Sequence, residues 1–289
     1  MGNKVVSFAI TIACVLFVIV LFVEKTKFIF EMAPKLRGEV DTKQFVITSL
    51  KDGSPIVVRK DDPNVGEKVR ISGTVRSKFN DIISSFYDNN LVVIEVGPNF
   101  GYNTIPLAKG LKPSGKLYAF EANYRVWTAL RKSLVLNDID GKVEARNIAI
   151  SDHKGACDIP DCMSIVARED GTYTSPRIFS TKCTTLDEEL LDEDRPVDLI
   201  AIDIPNMEIP ILKSCETIID RSPNIIIIMT FENNPVNAEA RDVLKRLEQK
   251  GIKFYIANGK DDYSQVTIEA LLLHRGDVVM MTRKEVVEI

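Results

Sequence analysis

Five carboxylates and two glycines stand where this sequence could do chemistry. The stretch VVIEVGPNFGYNTIPLA, Val92 to Ala108, starts as an apolar strand, breaks at glycine and resumes as a helix. Gly97 and Gly101 allow a close approach of backbone to a ligand, and the helix that follows offers unpaired amides. Their G-x-x-x-G spacing is not the G-x-G-x-x-G of a dinucleotide pyrophosphate loop, and no Gly-Lys-Ser/Thr follows to make a P-loop. Glu95, one residue before the strand ends, suits a ligand with a positive ammonium group. Glu121, closing the next apolar run in YAFEAN, stands where a carboxylate accepts hydrogen bonds from ribose hydroxyls. A ribose and an ammonium without a phosphate describe S-adenosylmethionine. Taken singly, each feature has a plainer reading: a glycine turn is often only a turn, and a carboxylate at a strand end is often a helix cap. Their order along one alternating pattern is what points to a cofactor.

Asp203 in DLIAID, Glu208 in PNMEIP and Glu232 in TFENN follow later apolar runs and are candidate bases or acceptor-binding groups. Asp203 is the first choice, its rival role being a helix cap or an orienting group. His153 reads as a surface residue. With Cys157 and Cys162 it forms H-x3-C-x4-C, which lacks a fourth ligand at regular spacing, so no zinc is expected, and nothing demands an Asp/Glu-bound magnesium.

Alternating strands and helices must position these groups. FVITSLKDGSPIVVRK reads as a hairpin around Asp52-Gly53. SKFNDIISSFYDN puts Phe79, Ile82, Ile83 and Phe86 at helical spacing. LVVIEV, KLYAFE, KVEARNIAI, PVDLIAID and NIIIIMTFE are predicted strands. NTIPLAKGL, YRVWTALRKSLVLN, MEIPILKSCETII and AEARDVLKRLEQKG are predicted helices, and residues 151–185 read as irregular with hairpin hints. KFYIAN and GDVVMMTR close the pattern as strands. Uninterrupted apolar strands such as LVVI and NIIIIM belong to a parallel sheet covered on both faces, so the fold class is a doubly wound α/β domain.

IEVGPNFGYNT, LYAFEAN, NIAISDHKG, TTLDEELL and DLIAIDIPNMEIPIL, in that order and spacing, resemble the FkbM family of S-adenosylmethionine-dependent methyltransferases, from about Lys43 onward. The resemblance implies a class I methyltransferase, Rossmann-like doubly wound sheet of seven strands, the last antiparallel, and O-methylation of a hydroxyl on a sugar, glycan or small metabolite. It also implies that Glu95, Gly97, Asn99, Gly101 and Thr104 line the methionine end. Glu121 then holds the ribose, Ser151 with Asp152 lies near the adenine, and Asp203 faces the reactive centre. The family pattern K-x-D-V-E-G-x-E is altered here to AIDIPNME. Asp203 and Glu208 are kept, while Ala201, Pro205 and Asn206 replace lysine, glutamate and glycine. Asn can adopt left-handed dihedrals, so the turn can survive. The same change admits a second reading, a catalytically silent, membrane-tethered relative acting through interactions.

Residues 1–25 form an expected anchor, 26–42 a connector, and 43–289 the methyltransferase-like domain with its leading hairpin at 43–75. Val5–Val23 is the most hydrophobic segment and is uncharged throughout; as a helix it spans roughly 28 Å, close to the ~30 Å hydrocarbon core of a bilayer. A signal peptide would have a shorter apolar region and a small-residue cleavage site, whereas VEKTK follows here. Lys25, Lys27, Lys35, Arg37 and Lys43 follow the segment and only Lys4 precedes it, so the positive-inside rule puts the body of a single-pass protein on the cytoplasmic side. With 45% hydrophobic and 27% charged residues the chain has ample material for a core. The net charge is −4, and subtracting the +2 on residues 1–27 leaves −6 on the rest, which argues against nucleic acid as a partner. Beyond Cys14, the cysteines Cys157, Cys162, Cys183 and Cys215 are even in number and fit either thiols or bridges.

Overall fold

Val92–Val96 (VVIEV) is buried along its whole length, the signature of a strand covered on both faces. The computed structural model describes residues 44–63, 65–75, 78–86, 90–161, 177–231, 238–259, 262–274 and 276–284. The expected anchor and connector, and Glu232 and Cys162, lie outside these residues. Among the described residues no helix is long and apolar enough to cross a membrane.

The chain opens with a hairpin of β1 (Phe45–Ser49) and β2 (Pro55–Arg59). At its turn Gly53 takes φ 87°, and the Asp52 side chain accepts the Ser54 amide at 2.9 Å. Helices α1 (Val65–Ser72) and α2 (Lys78–Ile83) follow. The predicted stripe Phe79, Ile82, Ile83 and Phe86 is buried, although its last turn, Ser84–Phe86, tightens to a 3-10 helix. Next come β3 (Val92–Val96), α3 (Thr104–Gly110), β4 (Lys116–Phe120), α4 (Tyr124–Leu136) and β5 (Val143–Arg146). In α4, Val126, Leu130 and Leu134 form the buried stripe. The same helix clamps the hairpin, because Ser133 Oγ accepts the Val57 amide at 2.9 Å and Asn137 Nδ2 donates to the Pro55 carbonyl at 2.7 Å.

The predicted third strand, KVEARNIAI, is corrected to two. Asn147 Nδ2 donates to the carbonyls of Glu121 and Ala122, at 2.8 and 3.1 Å, which turns the chain out of the main sheet. Thus β6 (Ala149–Ile150) joins a separate three-stranded sheet with β8 (Arg177–Thr184) and β7 (Gly155–Asp161), in the order β6-β8-β7. Strands β7 and β8 are antiparallel, which gives the region read as irregular its hairpin. Then follow α5 (Leu186–Glu189) and β9 (Leu199–Ile202). The single helix expected over MEIPILKSCETII is also two, α6 (Glu208–Lys213) and α7 (Glu216–Arg221). The cause is Asp187: its amide donates to the Ser214 carbonyl at 2.8 Å, and its carboxylate accepts the Thr217 and Ile218 amides, giving α7 its own start.

Strand β10 (Ile226–Phe231), α8 (Ala238–Gln249), β11 (Lys253–Gly259), β12 (Asp262–Val266), α9 (Ile268–Leu271) and β13 (Asp277–Thr282) complete the described elements. The main sheet runs β12-β11-β13-β10-β9-β3-β4-β5. The adjacent strands β10, β9, β3, β4 and β5 pair in parallel, and β13 inserts antiparallel between β10 and β11. Seven strands with the last antiparallel match the expectation, and the eighth, β12, is a correction. β12 hid because it is a polar edge strand, DYSQV, with no buried residue. The arrangement is a class I methyltransferase-like α/β fold. Val92, Ile94 and Val96 of β3 face a core shared with α6, α7 and α8. By the period of two in a strand, Glu95 therefore faces the opposite layer, where α3 lies.

Candidate active site

Ligands of open parallel sheets sit beyond the strands' carboxyl ends, and here the ends of β3, β4 and β9 converge. Glu95, 4% exposed, accepts the Thr104 hydroxyl at 2.7 Å through Oε2. Burial is the main cause that pushes its carboxyl up to about 7; the Thr104 hydrogen bond opposes it, and Asp203 and Glu121 add to it. The loop from Gly97 to Gly101 carries three residues at positive φ: Gly97 at 83°, Asn99 at 53° and Gly101 at 95°. A Cβ on Gly97 would stand 2.5 Å from Ile204 Cγ1 and 3.1 Å from the Asp203 carbonyl, so glycine is what lets the β3 and β9 loops touch.

Glu121, at the end of β4, takes two amides: Asn99 N–H donates to Oε2 at 3.2 Å and Asn123 N–H to Oε1 at 2.8 Å. Its carboxyl too is pushed up to about 7, chiefly by burial and against those two hydrogen bonds. The glycine loop and the ribose candidate thus share one environment. Directly after β9, Asp203 accepts the Tyr102 hydroxyl at 2.9 Å through Oδ2. Burial, then the charge of Asp203, holds that phenol well above its usual range. Tyr102 was not singled out in the sequence; its partner lies 101 positions away, and only its place directly after the glycine loop could have suggested it.

Glu208 is buried and accepts the Asn206 amide at 3.2 Å, closing the turn in which Asn206 takes φ 62°. The asparagine thus supplies the left-handed residue of the altered segment. Ala201 is the cross-strand partner of Glu95. The lysine of the family pattern is therefore missing beside the buried carboxylate. Ser151 and Asp152 follow β6. The Ser151 amide donates to the Thr184 carbonyl, while Asp152 binds His153 at 3.0 Å and Lys213 at 2.5 Å, contacts that, His153 first, hold its carboxyl down at about 2. Glu232 lies outside the described residues. His153 is exposed, as expected of a surface residue, and stands beside a Cys157–Cys183 disulfide. Cys215 is a free, buried thiol.

Tyr102 also lines a cavity of 440 Å³ between the hairpin turn, α2 and α3, whose polar walls include Lys51, Asp52, Asn80, Asn103 and Lys109. Its size is that of a small-molecule site.

The model of the methyltransferase FkbM domain matches residues 95–254, more than half of the chain. The chain belongs to the FkbM methyltransferase family. Glu95, the glycine loop, Glu121 and Asp203 all fall within the matched FkbM domain. No curated protein matches the chain. Among solved structures it is similar to cofactor-bound Rv0187 from MTB, at 14% identity over 73% of this chain and 83% of that one, TM-score 0.41. It is similar to an O-methyltransferase from Bacillus cereus in complex with SAH, at 18% identity over 73% and 83%, TM-score 0.40. It is also similar to the O-methyltransferase TomG from Streptomyces achromogenes, in complex with SAM, at 13% identity over 72% and 81%, TM-score 0.40. At such identities and scores the likeness carries no inference about substrate.

Proposed function

We propose that this FkbM domain is an S-adenosylmethionine-dependent O-methyltransferase acting on a hydroxyl of a sugar, glycan or small metabolite. The observation that carries the reading is the Glu121–Asn99 contact, which joins the β4 carboxylate to the glycine loop of β3. The residues fit the cofactor: a buried carboxylate for an ammonium at Glu95, and a carboxylate at Glu121 whose oxygens have each accepted one amide in the hydrogen bonds above and retain lone pairs for ribose hydroxyls. Bound S-adenosylmethionine supplies an electrophilic methyl group. This chain's residues position it and the acceptor. Glu95, Gly97, Asn99, Gly101 and Thr104 serve the methionine end, Glu121 the ribose, and Ser151 with Asp152 the adenine side.

Asp203 takes the acceptor hydroxyl's proton, and the Tyr102 hydroxyl fixes the Asp203 carboxylate. Alignment matters more than the base, since orientation supplies about 7–11 kcal/mol and a general base roughly 3–5. The cavity beside Tyr102, lined by amide, carboxylate and ammonium groups, suits a hydroxyl-rich acceptor. Glu208 supports the turn that carries Asp203, and Glu232 is retained as a candidate acceptor contact from the sequence alone. Val5–Val23 anchors the protein in a membrane, with the domain on the cytoplasmic side, a reading supported by the apolar run and the positive charges after it.

One observation favours the silent-relative reading, the alanine beside Glu95. The test is calorimetry with S-adenosylmethionine, S-adenosylhomocysteine and NADH, followed by transfer of a labelled methyl group to a panel of polyols and glycans. Binding of the first two without NADH, and label transfer, support the proposal. Binding with no transfer across the panel selects the silent relative, and no binding removes the cofactor assignment. Deleting residues 1–25 should release the protein from membranes into the soluble fraction; continued sedimentation with membranes would overturn the anchor.

A further inference from the structure

We infer that His153, Cys157 and Cys183 form a zinc site when the two cysteines are reduced. The three ligand atoms lie within 4.8 Å of one another. His153 Nε2 stands 3.9 Å from Cys157 Sγ and 3.7 Å from Cys183 Sγ. Nitrogen and sulfur ligands of a tetrahedral zinc, at bond lengths near 2.0 and 2.3 Å, are about 3.6 Å apart. The imidazole is thus already placed at a vertex relative to both sulfurs.

The orientation of the ring is the second, independent observation. Asp152 Oδ1 lies 3.0 Å from His153 Nδ1. A carboxylate only accepts, so Nδ1 carries the proton, and the Nε2 lone pair is the one directed at the sulfurs. A carboxylate holding the far nitrogen of a ligating histidine is the usual outer partner in zinc sites, where it fixes the tautomer and raises the basicity of the ligand. Asp152 is itself held by Lys213 Nζ at 2.5 Å. The sulfurs come from facing strands, β7 and β8, and the histidine from the loop between β6 and β7, so the scaffold of all three ligands is the small sheet.

In the structure the two sulfurs are bonded to each other. Reduction by a thiol or a phosphine delivers two electrons and two protons, breaks the S–S bond and leaves two thiols; a phosphine ends as its oxide with oxygen taken from water. Binding Zn²⁺ then releases the two thiol protons, because thiolates are the ligands. The sulfurs part to about 3.8 Å, the tetrahedral edge for such bonds. Disulfide and zinc site exclude each other. With the domain on the cytoplasmic side, as proposed above, the pair stands in a reducing compartment where the thiol form prevails. Three protein ligands leave a fourth position for water. The sequence spacing concealed this set because Cys183 is 26 residues from Cys157.

The inference does not depend on the methyltransferase reading, and its test measures metal rather than methyl transfer. Full-length protein in detergent, carrying Cys162→Ser so that Cys162 cannot contribute, is reduced with a phosphine and titrated with Zn²⁺ against a chromophoric chelator. One equivalent should bind in the reduced protein and none in the oxidised. Co²⁺ in place of Zn²⁺ should give thiolate-to-cobalt charge-transfer absorption, a readout on the otherwise unaltered site that needs no ligand variant to fold. Cys183→Ser should weaken zinc at least 100-fold. Asp152→Asn, which keeps all three ligands, should weaken it about 10- to 100-fold. Absence of binding in the reduced protein overturns the inference. So do equal binding in the oxidised protein, a cobalt spectrum without the thiolate band, and Cys183→Ser or His153→Gln variants that bind as tightly as their parent.

Discussion

The buried pair Glu95 and Thr104 makes cofactor affinity depend on pH near neutrality. Glu95, with its carboxyl at about 7, binds an ammonium group only when ionised. The competent fraction divides into the dissociation constant; for one such group that fraction is roughly 0.9 at pH 8 and roughly 0.1 at pH 6, an affinity change of about tenfold. Glu121, also at about 7, adds up to a second factor of about ten where both must ionise. The charged groups facing Glu95 are Asp203 and Glu121, both of which oppose its ionisation, while the Tyr102 phenol, held well above its usual range, stays neutral across this window.

Thr104→Val removes the one side-chain hydrogen bond that favours the Glu95 carboxylate. A hydrogen bond to a charged group contributes about 1.5–3 kcal/mol. At 1.36 kcal/mol per pKa unit that raises the carboxyl by about one to two units. The ionised fraction at pH 7 then falls, and affinity weakens roughly 5- to 50-fold. Isothermal titration with S-adenosylhomocysteine from pH 6 to 8.5, in buffers of different ionisation enthalpy, reads both the dissociation constant and the protons released. The folded carboxyl lies above its ordinary 4.5. Its stabilising contribution to the ligand-free fold is therefore complete below about pH 4.5 and lost as pH rises through about 7; the melting temperature of the free protein should fall across that window. A dissociation constant flat within threefold from pH 6 to 8, or a Thr104→Val protein with an unmoved pH midpoint, would refute the reasoning.

Gly97→Ala should lower stability by about 1–3 kcal/mol and weaken cofactor binding at least tenfold, because the new Cβ meets Ile204. Gly251→Ala is the control: it has nearly the same φ with nothing within 4 Å, so a melting curve as perturbed as that of Gly97→Ala would deny the steric argument. Asp203→Asn should cut turnover about 10²- to 10⁴-fold with S-adenosylhomocysteine affinity kept within threefold; unchanged turnover would leave Asp203 a positioning residue. Asn206→Gly should be tolerated to within about 0.5 kcal/mol in denaturant unfolding, while Asn206→Val should cost about 1–2 kcal/mol at φ 62°; equal effects would place the turn's importance elsewhere.

Apolar periodicity made most of the sheet legible, since β3, β9 and β10 are runs that only a doubly covered strand can use. What escaped was decided by single polar contacts across long separations. Asn147 splits one predicted strand, and Asp187 splits one predicted helix, each by offering side-chain groups to backbone that the local pattern assigned elsewhere. The edge strand β12 carries little apolar signal because none of its residues is buried. Within the site, Glu95, Glu121 and the glycine loop were readable from their place at strand ends. The Tyr102–Asp203 contact and the approach of Cys183 to His153 depend on topology, which spacing does not encode. The alanine at 201 was visible as a departure, but its position across from Glu95 needed the register of β3 and β9.

The wedging of β13 between β10 and β11 has a consequence for synthesis. Until Asp277–Thr282 has left the ribosome, the nascent sheet exists as two pieces with raw edges, a parallel slab ending at β10 and the β11–β12 ribbon, each exposing unpaired backbone. Chains truncated before this segment should be sticky rather than merely shorter, and a chaperone that shields open strands is needed most until this segment has emerged.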